Sequence, residues 1–482
     1  MSRPSPIAIG FVSLLLLVGE APRSASAQSE PDPGQTPEAE RTPPSPFAVS
    51  FGGQYRVVAT ASNADFHLAR VEATQPAISL VNQRLRPWVN LHDRGDRRHG
   101  AYLQLEIGHT PWGDDREFPK THPANGDEVG LELRRGYLWL KPTQTSLLRA
   151  GVLDWHDRFG ERPTFEDPQW AVDAYDSFQS VLANSIWDFE VGGVTFDATM
   201  DEAWHLGLAA LLLQQDGRTL GGDGSAFLLA GDIDREFGAA LLGASVYVLR
   251  DSGDYSYGTF GGPADVYESS WGLWAGVRGH LRIGRIEPSF FVIMNTGRTR
   301  DPDWTHTGWA TKGALKMALA GGTLAVQALS SSGDDGTSST RSGEFRTIAQ
   351  SVRDDFGAQG YWSLLGLTSP RGPSDVIDLG VGLQNRGLGL MTVQAGFERP
   401  LSRRMSGYLA TGYLRSAERT PVTGATALGT EFLAELRWTV ARAMAVDIGA
   451  SYLTTGDFYR RDPSGAAPAG LYQIYTRYQL EF

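Results

Sequence analysis

From Phe47 to Phe482 the chain repeats one pattern: a run of ten to thirteen residues in which apolar and polar side chains alternate, a turn, and another such run. Alternation with period two marks a β-strand whose two faces meet different surroundings. In FAVSFGGQYRVVAT, Val49, Phe51, Tyr55, Val57 and Ala59 share one face, and Ser50, Gln54, Arg56 and Thr60 the other. In AYLQLEIG, Ala101, Leu103, Leu105 and Ile107 oppose Tyr102, Gln104 and Glu106. The runs SWGLWAGVRGHLR (270–282), TGWATKGALKMAL (307–319), GTEFLAELRWTV (429–440) and MAVDIGASYLTT (444–455) behave alike. Their length suits the roughly 9–11 residues that carry a tilted strand across a bilayer. Core strands of soluble proteins are nearer 5 or 6 residues.

The final run, LYQIYTRYQLEF, puts Tyr472, Ile474, Tyr478, Leu480 and Phe482 on one parity and Gln473, Arg477, Gln479 and Glu481 on the other. A terminal strand that keeps its apolar face to the last residue needs an apolar surrounding. Pairing it with the first strand leaves no edge open to lipid or water. Connections alternate in length: 200–203, 283–284, 320–322 and 441–444 are short, whereas 109–128, 155–185, 251–269, 331–357, 416–428 and 456–470 are long and rich in Asp, Gly, Ser and Pro. Short turns on one rim and long loops on the other are the layout of a bacterial outer-membrane barrel. Twenty runs are countable, of which 358–367 alternates poorly and could lie inside a loop, and a periplasmic C-terminus requires an even total, eighteen or twenty. The reading is all-β: a closed antiparallel transmembrane β-barrel of about 18 strands, within 16–20. A propeller would show a motif repeated in each blade, and none is visible.

Three segments follow. Residues 1–27 read as a secretory signal, with Arg3, the apolar stretch Ile7 to Val18 and the small residues Ala25-Ser26-Ala27. Residues 28–46 hold six Pro and no large apolar side chain, a disordered linker. Residues 47–482 are the barrel. With no Cys there is neither a lipid attachment site nor a disulfide. Loss of Arg3, Arg23 and Glu20 with the signal takes the 43 basic and 55 acidic residues to 41 and 54, a net −13. That balance excludes nucleic acid as a partner.

If apolar parity faces lipid, the opposite parity lines the lumen. It collects Arg56, Arg84, Arg86, Arg134, Arg149, Arg278, Arg282, Arg285, Lys312, Lys316, Arg437 and Arg477, with His280 as a further candidate. The acids on that face are Glu106, Glu132, Asp188, Glu190, Glu287, Glu431, Glu435, Asp447 and Glu481. Fixed cations in a narrow low-dielectric passage concentrate anions, and the guanidinium fork suits carboxylate or phosphate. The competing reading is a ladder of ion pairs that only hydrates the bore. The loop DWHDRFGERPTFEDPQW (154–170) carries Arg158 and Arg162 among five acids and suits either a constriction or an exposed loop. Tryptophans near strand ends read as interfacial anchors. Trp88 and Trp274 fall on the wet parity, where a ring can stack on a sugar. Gly333-Asp334-Asp335-Gly336 is turn chemistry. No zinc-hydrolase, serine-hydrolase or phosphate-loop motif is present, so no enzyme, metal or cofactor is expected.

In RLRPWVNL (84–91), LELRRGYLWL (131–140), SLLRAGVLDW (146–155), IWDFEVGGVTF (186–196) and the stretch 344–383 the chain resembles the alginate export family of outer-membrane channels. The resemblance implies a monomeric barrel of commonly eighteen strands. Its basic lumen would pass an anionic uronic-acid polymer such as alginate, gated by folded-in loops. Where that family often has Gly-Arg-Gln, this chain has Ala150-Gly151-Val152-Leu153, a departure that bears on the substrate. The terminal Tyr478, Leu480 and Phe482 resemble the signal that outer-membrane proteins show to their assembly machinery. A general porin and a non-transporting scaffold or adhesin stay open beside the anion channel.

Overall fold

The computed structural model describes residues 46–64, 78–95, 97–111, 131–159, 190–201, 203–214, 225–252, 270–299, 304–338, 340–348, 363–368, 381–385, 387–460 and 470–482. The signal and nearly all of the linker, 1–45, lie outside them. The strands are β1 (Phe47–Ser62), β2 (Ile78–Asp93), β3 (His99–Pro111), β4 (Leu131–Leu140), β5 (Ser146–Asp154), β6 (Glu190–Thr199), β7 (Trp204–Gln214), β8 (Ala226–Phe237), β9 (Ala240–Asp251) and β10 (Ser270–Leu281). They continue with β11 (Ile286–Thr299), β12 (Trp304–Leu319), β13 (Gly322–Ser331), β14 (Arg341–Ser342), β15 (Leu390–Pro400), β16 (Met405–Ser416), β17 (Ala427–Ala441), β18 (Met444–Thr455) and β19 (Leu471–Glu481).

Of these nineteen, all but β14 form one wall of eighteen strands, each antiparallel to its neighbours in chain order, with β13 beside β15. The two-residue β14 runs parallel to Thr305 and His306 of β12 and takes no place in the wall. The barrel closes where β19 pairs with β1, from Gln54 opposite Glu481 to Ser62 opposite Gln473. Closure is completed by the last residue: Gly53 N–H donates to Phe482 O at 2.8 Å, and Phe482 N–H to Gly53 O at 3.0 Å. A Cβ on Gly53 would lie 2.7 Å from the Phe482 ring, so that ring sits where a side chain on β1 would otherwise stand. Turns on the short rim are tight. Ala320 (φ 51°) and Gly321 (φ 75°) join β12 to β13 with two consecutive left-handed residues, the pattern of a type I′ hairpin.

The outer surface is apolar. Exposed aromatic residues gather at the two ends of the wall: Trp271, Trp309, Phe432 and Tyr452 toward the long loops, and Phe51, Phe290, Trp438, Tyr478 and Phe482 toward the short turns. Between them lie aliphatics such as Val246, Val277, Val393, Leu409 and Ile448. In water this surface would be far larger than the few hundred Å² a soluble monomer tolerates. In a bilayer it is the lipid-facing band with its two aromatic girdles. The protein is an outer-membrane barrel.

Eighteen strands enclose a bore too wide for wall side chains to fill, and loop segments enter it. Residues 155–159 and parts of 343–389 carry buried Trp155, Phe159, Phe345, Ile348, Leu365, Leu367 and Leu383 into one internal cluster with wall residues from β6 to β19. This corrects the count of twenty runs. Residues 363–368 are loop, not strand, because Leu365 and Leu367 face an internal core; 358–362 lie outside the described residues.

Deleting Phe482, or replacing Gly53 by Val, is expected to lower the folded, fast-migrating fraction on unheated detergent gels severalfold. Gly313→Val, where an added Cβ meets nothing within 4 Å, should leave that fraction unchanged.

Candidate functional site

Even-numbered residues of β1 and β2 point inward, and Arg56, Arg84 and Arg86 are all buried there. Arg56 lies opposite Arg84 in the β1–β2 register. Arg84 Nη2 donates to Gln54 Oε1 at 3.2 Å. Arg86 Nε donates to Glu106 Oε2 on β3, and Arg134 Nη1 reaches the same oxygen at 3.0 Å. On β19, Arg477 donates to Asp447 through Nε (2.7 Å) and Nη2 (2.5 Å), while Arg437 Nε reaches the other Asp447 oxygen at 2.8 Å.

Arg135 joins this group although period-two reading misses it. Gln104 faces Arg135 across β3–β4, but Leu105 faces Leu133, so Arg134 is the extra residue of a β-bulge. A bulge shifts parity, and two consecutive arginines turn inward. The double Arg in LELRRGYLWL is the only trace of this in the sequence.

Along β19, β1, β2, β3 and β4 the described inward-facing ionic side chains are therefore Arg477, Arg56, Arg84, Arg86, Arg134 and Arg135 against Glu481 and Glu106. The side chain of Glu132 is outside the described set. Adding β17 and β18 brings Arg437, Glu431, Glu435 and Asp447, and arginine still predominates. Toward the short-turn end of the same arc three rings stack: Trp88 on Tyr102 (centroids 6.2 Å, 22° between planes) and Tyr102 on Tyr137 (5.2 Å, 25°). Trp139 packs beside them, its Nε1 donating to Asn90 Oδ1 at 3.3 Å. An added Cβ on Gly52 would lie 2.7 Å from the Trp88 ring, so the indole lies flat against the wall.

Across the bore the charges are matched. Arg158, at the inserted end of the loop after β5, binds Asp197 at 2.7 Å and Asp234 at 3.1 Å and lies 4.0 Å from Asp232. Burial opposes its charge, but the carboxylates of Asp232, Asp197 and Asp234 outweigh burial and hold its pKa above the ordinary guanidinium value. Arg278 donates to Asp234 and to Ser245 Oγ, both at 2.5 Å, and Arg149 to Asp197 at 3.0 Å. Phe159 and Trp155 set their rings edge-on to Tyr247, whose hydroxyl donates to Asp232 at 2.6 Å. These three aspartates are absent from the sequence reading, which took Asp188 and Glu190, of the parity opposite to Asp197, as the lumen acids of that run and named no acid of β8.

The later loop is fastened as firmly. Glu431 accepts the N–H groups of Gly366 (2.9 Å), Leu367 (2.7 Å) and Thr368 (2.9 Å), and the Thr368 hydroxyl at 2.5 Å. Gln394 Oε1 accepts from Leu364 N–H at 2.7 Å, and Tyr408 donates to Leu364 O at 2.9 Å. Trp274 Nε1 donates to Arg346 O at 2.7 Å beneath this loop, which removes it as a stacking surface.

Lys312 and Lys316 are half-buried on the inward parity of β12, Lys316 opposite Glu287. Arg282 and Arg285 lie beyond the ends of the wall strands. β10 ends at Leu281, and both occupy the exposed turn before β11, where Arg282, 66% exposed, pairs with Glu287 at 2.8 Å. Alternation stops where the strand stops, and parity had been carried past it. Arg162 lies outside the described residues.

Arg158→Ala would remove the guanidinium that ties the loop to Asp197 and Asp234, which keep Arg149 and Arg278. The expected cost is about 1.5–3 kcal/mol, read as a lower urea midpoint, with a rise in single-channel conductance as 155–159 leaves the wall. Arg282→Ala, at an exposed pair, should change stability by less than about 1 kcal/mol.

No family model and no curated protein matches the chain, so the likeness to the alginate export family rests on the residues quoted for it. Solved structures do match. The barrel is similar to OccAB4 of Acinetobacter baumannii (TM-score 0.54, 9% identity, 90% of this chain and 98% of that one). It is similar to the outer membrane protein OpdK of Pseudomonas aeruginosa (TM-score 0.52, 10% identity, 90% and 99%). OpdK solved with vanillate matches equally (TM-score 0.51, 11% identity, 90% and 99%). At such identities the likeness is one of fold, and the fold is that of the porin-like channels of the bacterial outer membrane.

Proposed function

We propose that the protein is a monomeric outer-membrane diffusion channel for small anions, carboxylates above all, which pass along the arginine arc of β19, β1, β2 and β4. The observation that carries this reading is the imbalance on that arc, six arginines facing two carboxylates among the described side chains. Matched charges would only hydrate the bore. A local surplus held in a narrow, low-dielectric passage lowers the entry barrier for anions and raises it for cations.

Two further observations support a small carboxylate over a polymer. Segments 155–159 and 363–368 are tied to the wall inside the bore by buried ion pairs and hydrogen bonds, which narrows the path that a chain of sugars would need. The stacked Trp88, Tyr102 and Tyr137 beside Arg86 and Arg135 suit an anion that carries a planar ring, and OpdK, of like fold, has been solved with the ring carboxylate vanillate. Uronate oligomers, the substrate class of the alginate export resemblance, share the carboxylate and are the natural comparison.

Reversal potentials in a planar bilayer under a KCl gradient test the proposal. Anion preference is expected in the native protein, with block by added vanillate or uronate. Replacing Arg84, Arg86 and Arg135 together by Gln should bring the reversal potential close to zero selectivity. A native channel without anion preference would leave a general porin, and unchanged selectivity in the triple variant would remove the arc from the path.

A further inference from the structure

Among the described residues the lipid-facing wall carries few charges, and at one place two of them stand together. At the long-loop end of β9, β10 and β11 the register aligns Arg250 with Trp271 and Trp271 with Arg298. All three are on the outward parity and exposed. Neighbouring strands lie about 4.8 Å apart, so the two arginine backbones stand roughly 10 Å apart with the indole between them.

The surroundings grade from polar to apolar as a lipid does. Below the row, toward the middle of the wall, lie Val248 and Leu273, with Thr296 opposite Leu273 and Met294 one step further, a mostly apolar shelf. Above it the strands end. Among the described residues no acidic side chain faces outward on β8 through β12. Arginine facing lipid costs about 2–4 kcal/mol at the midplane and about 0–1 near the interface, which places this row at headgroup depth. Trp271 belongs to the aromatic girdle at the same level.

We infer that Arg250, Trp271 and Arg298 form a binding site on the outer wall for the phosphate of an anionic lipid in the outer leaflet, its acyl chains lying on the shelf below. Guanidinium groups bond phosphate oxygens in a fork that a lysine lacks, and the flat indole carries the glycosidic or glycerol part of the headgroup. The site is separate from the bore and stands whether or not the channel selects anions.

Native mass spectrometry of the detergent-solubilised barrel, titrated with diphosphoryl lipid A or with phosphatidylcholine, tests the inference. Lipid A is expected to bind at concentrations where phosphatidylcholine does not. Arg250→Gln with Arg298→Gln should weaken it roughly thirtyfold, at about 1 kcal/mol per arginine near an anionic surface. Arg399→Gln, exposed near the opposite rim, serves as the control and should bind as the native protein does. Migration on unheated gels shows whether each variant is folded. Equal binding of the two lipids, or undiminished lipid A binding in the folded double variant, would overturn the site. Displacement of lipid A by inorganic phosphate at matching concentration would overturn its assignment to a lipid.

Discussion

A strand in lipid cannot leave its backbone unpaired, since each orphaned N–H or C=O costs several kcal/mol where no water can replace the lost bond. The seam between β1 and β19 is where this requirement is met or fails, and it runs to the final residue. Gly53 and Phe482 exchange both backbone bonds there, and the ring fills the space left by the missing Cβ. An even number of strands, here eighteen, follows from this closure with both ends on one rim. A bore of that size cannot be packed by wall side chains alone, and so the closure of the wall also creates the need for loops inside it.

How those loops are held decides where the passage runs. Residues 155–159 and 363–368 lie against β6–β11 and β15–β17, fastened by Asp197, Asp232, Asp234 and Glu431. Each fastening consumes an inward carboxylate. On the side from β19 to β4 the described inward face keeps its arginines with few acids to match them. The chain is acidic overall, with a net charge of −12, yet its bore is basic along one arc. Sidedness of this kind is invisible to total charge and follows from which face of which strand a residue occupies.

Much of this was legible in the residues. Period-two runs gave class, closure and the alternation of long loops with short turns, because a barrel in lipid must obey parity on every stave. Arg56, Arg84 and Arg86 were readable because β1 and β2 alternate without interruption there. Legibility ended where parity did. The bulge at Arg134 hid Arg135, and Arg282 and Arg285 fall in the turn between β10 and β11, where alternation no longer assigns a face. The role of 363–367 was hidden for a related reason, since an apolar run facing an internal core looks the same as one facing lipid until its partners are known. Asp232 and Asp234 were missed because the acids of β8 acquire meaning only from Arg158, seventy-odd residues earlier and brought opposite by the inserted loop.

The contrast between Glu431 and Glu106 shows how one residue type serves two purposes in the same bore. A buried carboxylate must have its oxygens satisfied or it will not stay ionised. Glu431 finds three backbone N–H groups and a hydroxyl, all from one loop, and so binds a segment of chain without consuming a cation. Glu106 finds two arginines, Arg86 and Arg134, through a single oxygen, and so orders a cationic pair whose combined charge exceeds its own. In the first arrangement the acid closes the bore with neutral material. In the second it fixes the geometry of a surplus, holding guanidinium groups still enough to present a defined face to a passing anion. The selectivity of such a channel depends less on how many charges it contains than on whether its acids are spent on loops or on arginines.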